Sequence, residues 1–187
     1  MLDLTPYAQN GLGVAAVDQG RLVGFLCCID PFDHAFGSTD VRGVFSPMGA
    51  NGVAGQDRGR IYAAMYAKAA EKWVAAGAVS HGICLYAHDE AAQGQFFKYG
   101  FGLRCVDAVR PVEEILCKPC SEYSFREFGT SGFSQAYPLE AMLNRHCCQS
   151  PFFLNRALPS RESFCRECAA AGDRCFIALF EGMCALI

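Results

Sequence analysis

The stretch that decides the fold is QDRGRIYAAMYAKAAEKWVAAG, residues 56–77. Ile61, Met65, Ala69 and Trp73 recur at every fourth position with Tyr62 and Tyr66 beside them, which lays one apolar stripe along a helix. Lys68, Glu71 and Lys72 supply the wet side. The spacing predicts a helix from about Arg58, and Gly77 ends it as a glycine after the last turn would.

Upstream, the chain reads as strands. Residues 14–17, a turn at Asp18-Gln19-Gly20 and residues 22–29 make a hairpin. A polar loop at 31–39 leads to a third strand through Val41, Val44 and Phe45, which ends at Ser46-Pro47. Residues 48–57 are rich in Gly and Ala without periodicity and read as a loop. Downstream come a strand at 82–87, a helix opened by Asp89 as N-cap, and a strand at 103–109. That helix carries Phe96 and Phe97 and stops at Gly100. The order predicts an α/β chain of the α+β type, with a mixed, mostly antiparallel sheet flanked by helices.

The chain then restarts. Residues 110–122 hold Pro111 and Pro119 and read as a connection. After it come a strand at 123–128, helices at 138–146 and 161–171, and a hairpin-like run at 176–187. Val14-Ala15-Ala16-Val17-Asp18-Gln19-Gly20 aligns with Phe176-Ile177-Ala178-Leu179-Phe180-Glu181-Gly182, 162 residues later. Similarity at domain-sized spacing points to tandem domains. The division expected is 1–112 as a domain lacking its front, 113–122 as a linker, and 123–187 as the front of a second copy. The competing expectation is one permuted domain in which 123–172 completes the sheet begun at Val14.

The composition sets outer limits. A hydrophobic share of 52% with 19% charged residues suits a globular core. A net charge of -3 supplies no global basic field for nucleic acid or an acidic membrane. No apolar run approaches a membrane span, and the N-terminus lacks a basic-then-apolar leader pattern. The expectation is a cytoplasmic protein with neither nucleic acid nor membrane as partner. Cys27, Cys28, Cys84, Cys105, Cys175 and Cys184 sit inside apolar stretches and read as buried, reduced thiols.

Several local patterns imitate sites. Gly11-Leu12-Gly13-Val14-Ala15-Ala16 resembles a dinucleotide fingerprint, but a strand follows it where the fingerprint needs a helix. Cys117-Lys118-Pro119-Cys120 and Cys165-Arg166-Glu167-Cys168 are two CxxC pairs, separated by more than a zinc ribbon uses, and the second lies on an expected helix. No metal site is expected. His81 and His88 flank the strand at 82–87, and local hydrogen bonding accounts for them more simply than general-base chemistry. His34 and His146 have no second ligand at a telling spacing.

Three pieces carry a family resemblance across 13–110. Phe45-Ser46-Pro47 looks like the strand end of the GNAT superfamily of acyl-CoA-dependent N-acyltransferases. Gln56-Asp57-Arg58-Gly59-Arg60-Ile61 is similar to that family's Arg/Gln-x-x-Gly-x-Gly/Ala helix opening. Asp89-Glu90-Ala91-Ala92 through Phe96 to Gly100-Phe101 resembles its later Asn…Tyr…Gly-Phe stretch. The resemblance implies acetyl-CoA as co-substrate. Its pyrophosphate would lie at the helix start formed by Gln56, Arg58, Gly59, Arg60 and Ile61, where free amides and the helix dipole favour an anion. The edge of the strand ending at Phe45 would pair with the pantetheine amides, and Asp89 and Phe96 would lie further along the cofactor site.

Two residues depart from the pattern. Ile61 stands where the family has Gly or Ala and would crowd the pyrophosphate turn. Phe96 stands where many members have the tyrosine that protonates the leaving thiolate, with Tyr99 three residues on. The implied activity is acetyl transfer to a primary amine of a small molecule or peptide by direct attack, with no general acid or base assigned. The alternative is a catalytically silent GNAT-like module that packs against an active partner domain, or against a second copy as a homodimer.

Overall fold

The computed structural model describes all residues except 1, 2, 115, 117, 119, 120, 131, 151–153, 181, 182 and 185–187, together with the side chains of 183 and 184. The chain is α+β and forms two compact units, Met1–Phe36 with Asp40–Val109, and Gly37–Thr39 with Arg110–Ile187. No helix among the described residues is long and apolar enough to cross a membrane.

In the first unit a short helix α1 (Thr5–Gln9) precedes the hairpin β1 (Val14–Asp18) and β2 (Arg21–Leu26). Gln19 at φ 46° and Gly20 at φ 79° place both central turn residues in the left-handed region. That is what a two-residue hairpin turn needs to match strand twist. Helix α2 (Arg58–Ala75) buries Met65, Ala69 and Trp73 of the stripe read from the sequence together with the adjacent Tyr62, while Ile61 is half-buried. Trp73 is fully buried and its indole donates to Leu12 O at 3.1 Å. Lys72 Nζ reaches Gly11 O and Gly13 O at 3.0 and 2.9 Å. The segment that imitates a dinucleotide fingerprint therefore serves as a carbonyl clamp for the end of α2.

The segment at 48–57 is not the uniform loop expected. Asn51–Val53 forms β4, antiparallel to β2 with Leu26 opposite Asn51 and Gly24 opposite Val53. Three residues containing a glycine display no alternation, so backbone pairing alone defines this strand. Just before it β3 (Gly43–Ser46) runs parallel to β5 (Ser80–Ile83). The first unit thus has a three-stranded sheet in the order β1-β2-β4 beside the β3–β5 pair. Helix α3 (Glu90–Lys98) follows, capped by Asp89, whose carboxylate accepts from Ala92 N at 3.2 Å. The strand expected at 103–109 does not form. Leu103, Val106 and Val109 are exposed there, because an apolar pattern makes no strand without a neighbour to pair with.

The second unit contains β6 (Ser124–Phe128), α4 (Gly132–Cys147), α5 (Arg161–Ala171), β7 (Cys175–Phe180) and β8 (Met183–Cys184). Helix α4 starts six residues before the expected 138, leaving Pro138 inside it. The proline reads as a helix-opening residue, but the helix tolerates it further along. Its core gathers Phe133, Cys175, Ile177 and Leu179, with Phe164, Cys165 and Cys168 packed on them. The two hairpins pair alike. Asp18 faces Arg21 and Val17 faces Leu22, while Phe180 faces Met183 and Leu179 faces Cys184. These are the positions that the 162-residue offset equates.

Candidate functional site

The parallel pairing of β3 and β5 ends at Ser46 and Ile83, with Cys84 N still donating to Ser46 O at 2.9 Å. Beyond that point the two backbones part. One continues into β4 and the start of α2, the other into residues 84–88 and the start of α3. Asn51 sits at the fork. Its amide donates to Ser46 Oγ at 3.0 Å and Cys84 O at 3.1 Å, while its carbonyl accepts from the buried Tyr62 hydroxyl at 3.1 Å. Every polar atom of the Asn51 side chain is thereby satisfied in a setting where a lone one would be costly. Neither Asn51 nor Tyr62 stands out in the sequence as a site residue; the only signal is one amide among Gly and Ala.

The two helices that leave the fork frame a cleft of about 640 Å³, lined by Gly55 to Arg60 on one side and by Glu90, Gln95 and Lys98 on the other. Its floor is the first turn of α2, which has no side-chain cap. Asp57, at φ 59°, occupies the N-cap position, and its carboxylate accepts from no helix amide. Arg60 and Lys98 bring positive charge to the lining, and Asp57 and Glu90 bring negative charge.

The structure redistributes the roles expected along this stretch. Gln56 and Arg60 line the cleft. Arg58 lines it too, but its guanidinium is engaged. Nε donates to Asp89 Oδ1 at 3.2 Å, Nη2 donates to Asp89 Oδ2, and Nη1 donates to Val53 O. The hydrogen bond from Arg58 holds the Asp89 carboxyl below its ordinary range, and the same bond raises Arg58. Asp89 is nearly buried, caps α3 and pairs with Arg58, and so joins β4, α2 and α3.

Gly59 is small for a different reason from the one expected. A Cβ there would meet Ala91 O at 3.2 Å and Gln95 Cβ at 3.8 Å, so the missing side chain lets α2 and α3 approach. Ile61 does not crowd the helix start. It points to the sheet, where its Cγ2 lies 3.2 Å from a Cβ placed on Gly24.

Phe45 has no free edge. Its carbonyl accepts from Ile29 N at 2.9 Å, and its other side pairs with Gly82 on β5. The edge strand of the three-stranded sheet is β4. Phe96 is buried, 3% exposed, against Tyr62, Tyr66 and Phe101. It is core. Tyr99 lies at the C-cap of α3 with its ring 5.6 Å from Tyr66, away from the cleft lining.

The histidines divide in the same way. His81 is half-buried, with Nδ1 2.9 Å from the Tyr66 hydroxyl and Nε2 3.3 Å from Ala78 O, and burial pushes its pKa down. His88 is exposed and stacks on Tyr86 at 5.4 Å. Of the CxxC pairs, Cys165 and Cys168 pack against the second unit's core, while Cys117 and Cys120 lie outside the described residues. Among the described residues no group of three His, Cys, Asp or Glu gathers. Comparison of the chain with protein-family models, with curated proteins and with solved structures gave no match.

Proposed function

We propose that the first unit is a GNAT-like module that binds acetyl-CoA and transfers its acetyl group to a primary amine. The observation that carries this reading is the fork. A parallel strand pair parts at Ser46 and Ile83, and the two helices that follow, one with an uncapped start, line a cleft that carries Arg60 and Lys98. Openings at the carboxyl ends of adjacent strands are where α/β sheets take ligands. A helix start with free amides suits a pyrophosphate, and Arg60, Lys98 and Gln56 line the same space. In this reading β4, not the strand through Phe45, offers its edge to the pantetheine amides.

The transfer is direct. The amine nitrogen forms a bond to the thioester carbon, the carbon–sulfur bond breaks, and the proton lost by the amine balances the thiolate that leaves. This chain's contribution is positioning, worth several orders of magnitude when reacting atoms are held close. Phe96 provides no proton.

A second reading is favoured by one specific observation. Arg58 and Asp89, both expected in the cofactor site, are spent on each other. In that reading the module is catalytically silent and packs against an active partner domain. Calorimetric titration with acetyl-CoA, followed by thiol release in the presence of mixed primary amines, separates the two. Binding with turnover supports the enzyme, whereas binding without turnover, or no binding by folded protein, overturns it and leaves the silent module.

A further inference from the structure

The strand β7 has two unlike faces. Cys175, Ile177 and Leu179 are at most 8% exposed and lie beneath α4 and α5. Phe176 and Phe180 point the other way and are 66% and 42% exposed. On the neighbouring β6, Phe125 is 65% exposed and sits opposite Ala178, between those two rings. Tyr123 adds a ring 5.6 Å from Phe180. Single exposed aromatics need no explanation, but a contiguous set on two paired strands does.

The first unit shows what such a face takes. At the 162-residue offset, Phe176 and Ala178 correspond to Val14 and Ala16. Those two residues are packed under α2, against the cluster holding Met65, Ala69 and Trp73. The alternate residues, Ala15 and Val17, are exposed, whereas their counterparts Ile177 and Leu179 are buried. Two hairpins of the same register are thus covered on opposite faces: one by a helix like α2, the other by helices like α4 and α5.

The area separates the possible occupants. The exposed parts of these aromatics amount to roughly 300–400 Å². A stable dimer needs about 800 Å² from each partner. The described part of the face falls well short of that and is comparable to the apolar stripe of one helix.

We infer that the face formed by Phe125, Phe176, Ala178 and Phe180 docks an amphipathic α-helix supplied from outside these 187 residues, with apolar residues at the i, i+4 spacing of α2. The helix lies across β6 and β7 with its stripe on the phenylalanine rings and its polar side in water.

The probe is a fluorescent peptide of residues 58–77, titrated into the full chain by anisotropy, with a control peptide carrying Met65→Ser and Trp73→Ser. The expected result is saturable binding of the first peptide, at least about tenfold weaker for the control and for a Phe125→Ser, Phe176→Ser chain that keeps its circular dichroism. Hydrogen exchange on the unmodified chain, which depends on no variant, slows along β6 and β7 when the peptide binds. No binding, equal binding by the double variant, or protection elsewhere overturns the inference. So does a dimer of the chain alone that the double variant dissolves, which would assign the face to a second copy.

Discussion

Arg58 holds Asp89 through two hydrogen bonds and reaches Val53 O with its remaining nitrogen, so one guanidinium ties the end of β4 to the starts of α2 and α3. Both walls of the cleft depend on that tie. Arg58→Ala leaves a nearly buried carboxylate without its cation. The expected loss is about 1–3 kcal/mol by urea unfolding, below that of a fully buried pair because Arg58 is a third exposed. Arg58→Lys recovers little, since an ammonium cannot replace the bidentate grip.

The same pair predicts an acid limb. The hydrogen bond from Arg58 depresses the folded-state pKa of Asp89 below the ordinary aspartate value of about 3.9. Its stabilisation is therefore present above that pH and is lost as pH falls through the lower folded value. Wild type and Arg58→Ala should differ most near neutrality and converge as pH drops below about 4. Chemical denaturation at a series of pH values checks this, and a gap that widens in acid would contradict it.

Gly59 separates packing from anion binding. Gly59→Ala should raise helix propensity by up to about 1 kcal/mol if only α2 mattered. The added Cβ instead meets the Ala91 carbonyl at 3.2 Å, and a backbone atom gives way only if α3 moves. The expected outcome is a lower melting temperature despite the better helix former. A rise would show that α3 yields freely.

His81 adds its own pH dependence to the first unit's stability. Burial depresses its folded-state pKa below the ordinary histidine value of about 6.5, so it favours the neutral ring. Stability is full above that pH and declines as pH falls through the folded value. His81→Gln should flatten the decline in melting temperature between about pH 6.5 and 5. An unchanged slope would place the sensitivity elsewhere.

Cys28 is fully buried and its thiol is pushed up to about 12, chiefly by burial, whereas Cys105 is exposed. Brief alkylation of native protein near pH 8 should label Cys105 and spare Cys28, as read by mass spectrometry. Equal labelling would mean the core opens on that timescale.

What the sequence made legible was local. The α2 stripe, the Asp18-Gln19-Gly20 turn and the Asp89 cap each have their cause within a few residues, and each appears where its pattern places it. What it hid depends on partners distant in the chain. Arg58 and Asp89 are 31 residues apart, so a cation at a helix start looked available to a ligand. Phe45 looked like an edge because its neighbours, Ile29 and Gly82, come from separate segments. The strand β4 was too short to show a period, and the residues at 103–109 had the period without a partner. Gln56 and Arg60 line the cleft from their own helix start, while Lys98 and Gln95 join it only through the packing of α3 on α2.

The most direct measurement is hydrogen exchange of the amides of residues 58–60 with and without acetyl-CoA, run in parallel on an Arg60→Glu, Lys98→Glu chain. If the cofactor's pyrophosphate rests on the uncapped start of α2, acetyl-CoA slows exchange there in the wild type and does so far less in the variant. Unchanged exchange at these amides under saturating acetyl-CoA, or protection confined to another part of the chain, would contradict the account.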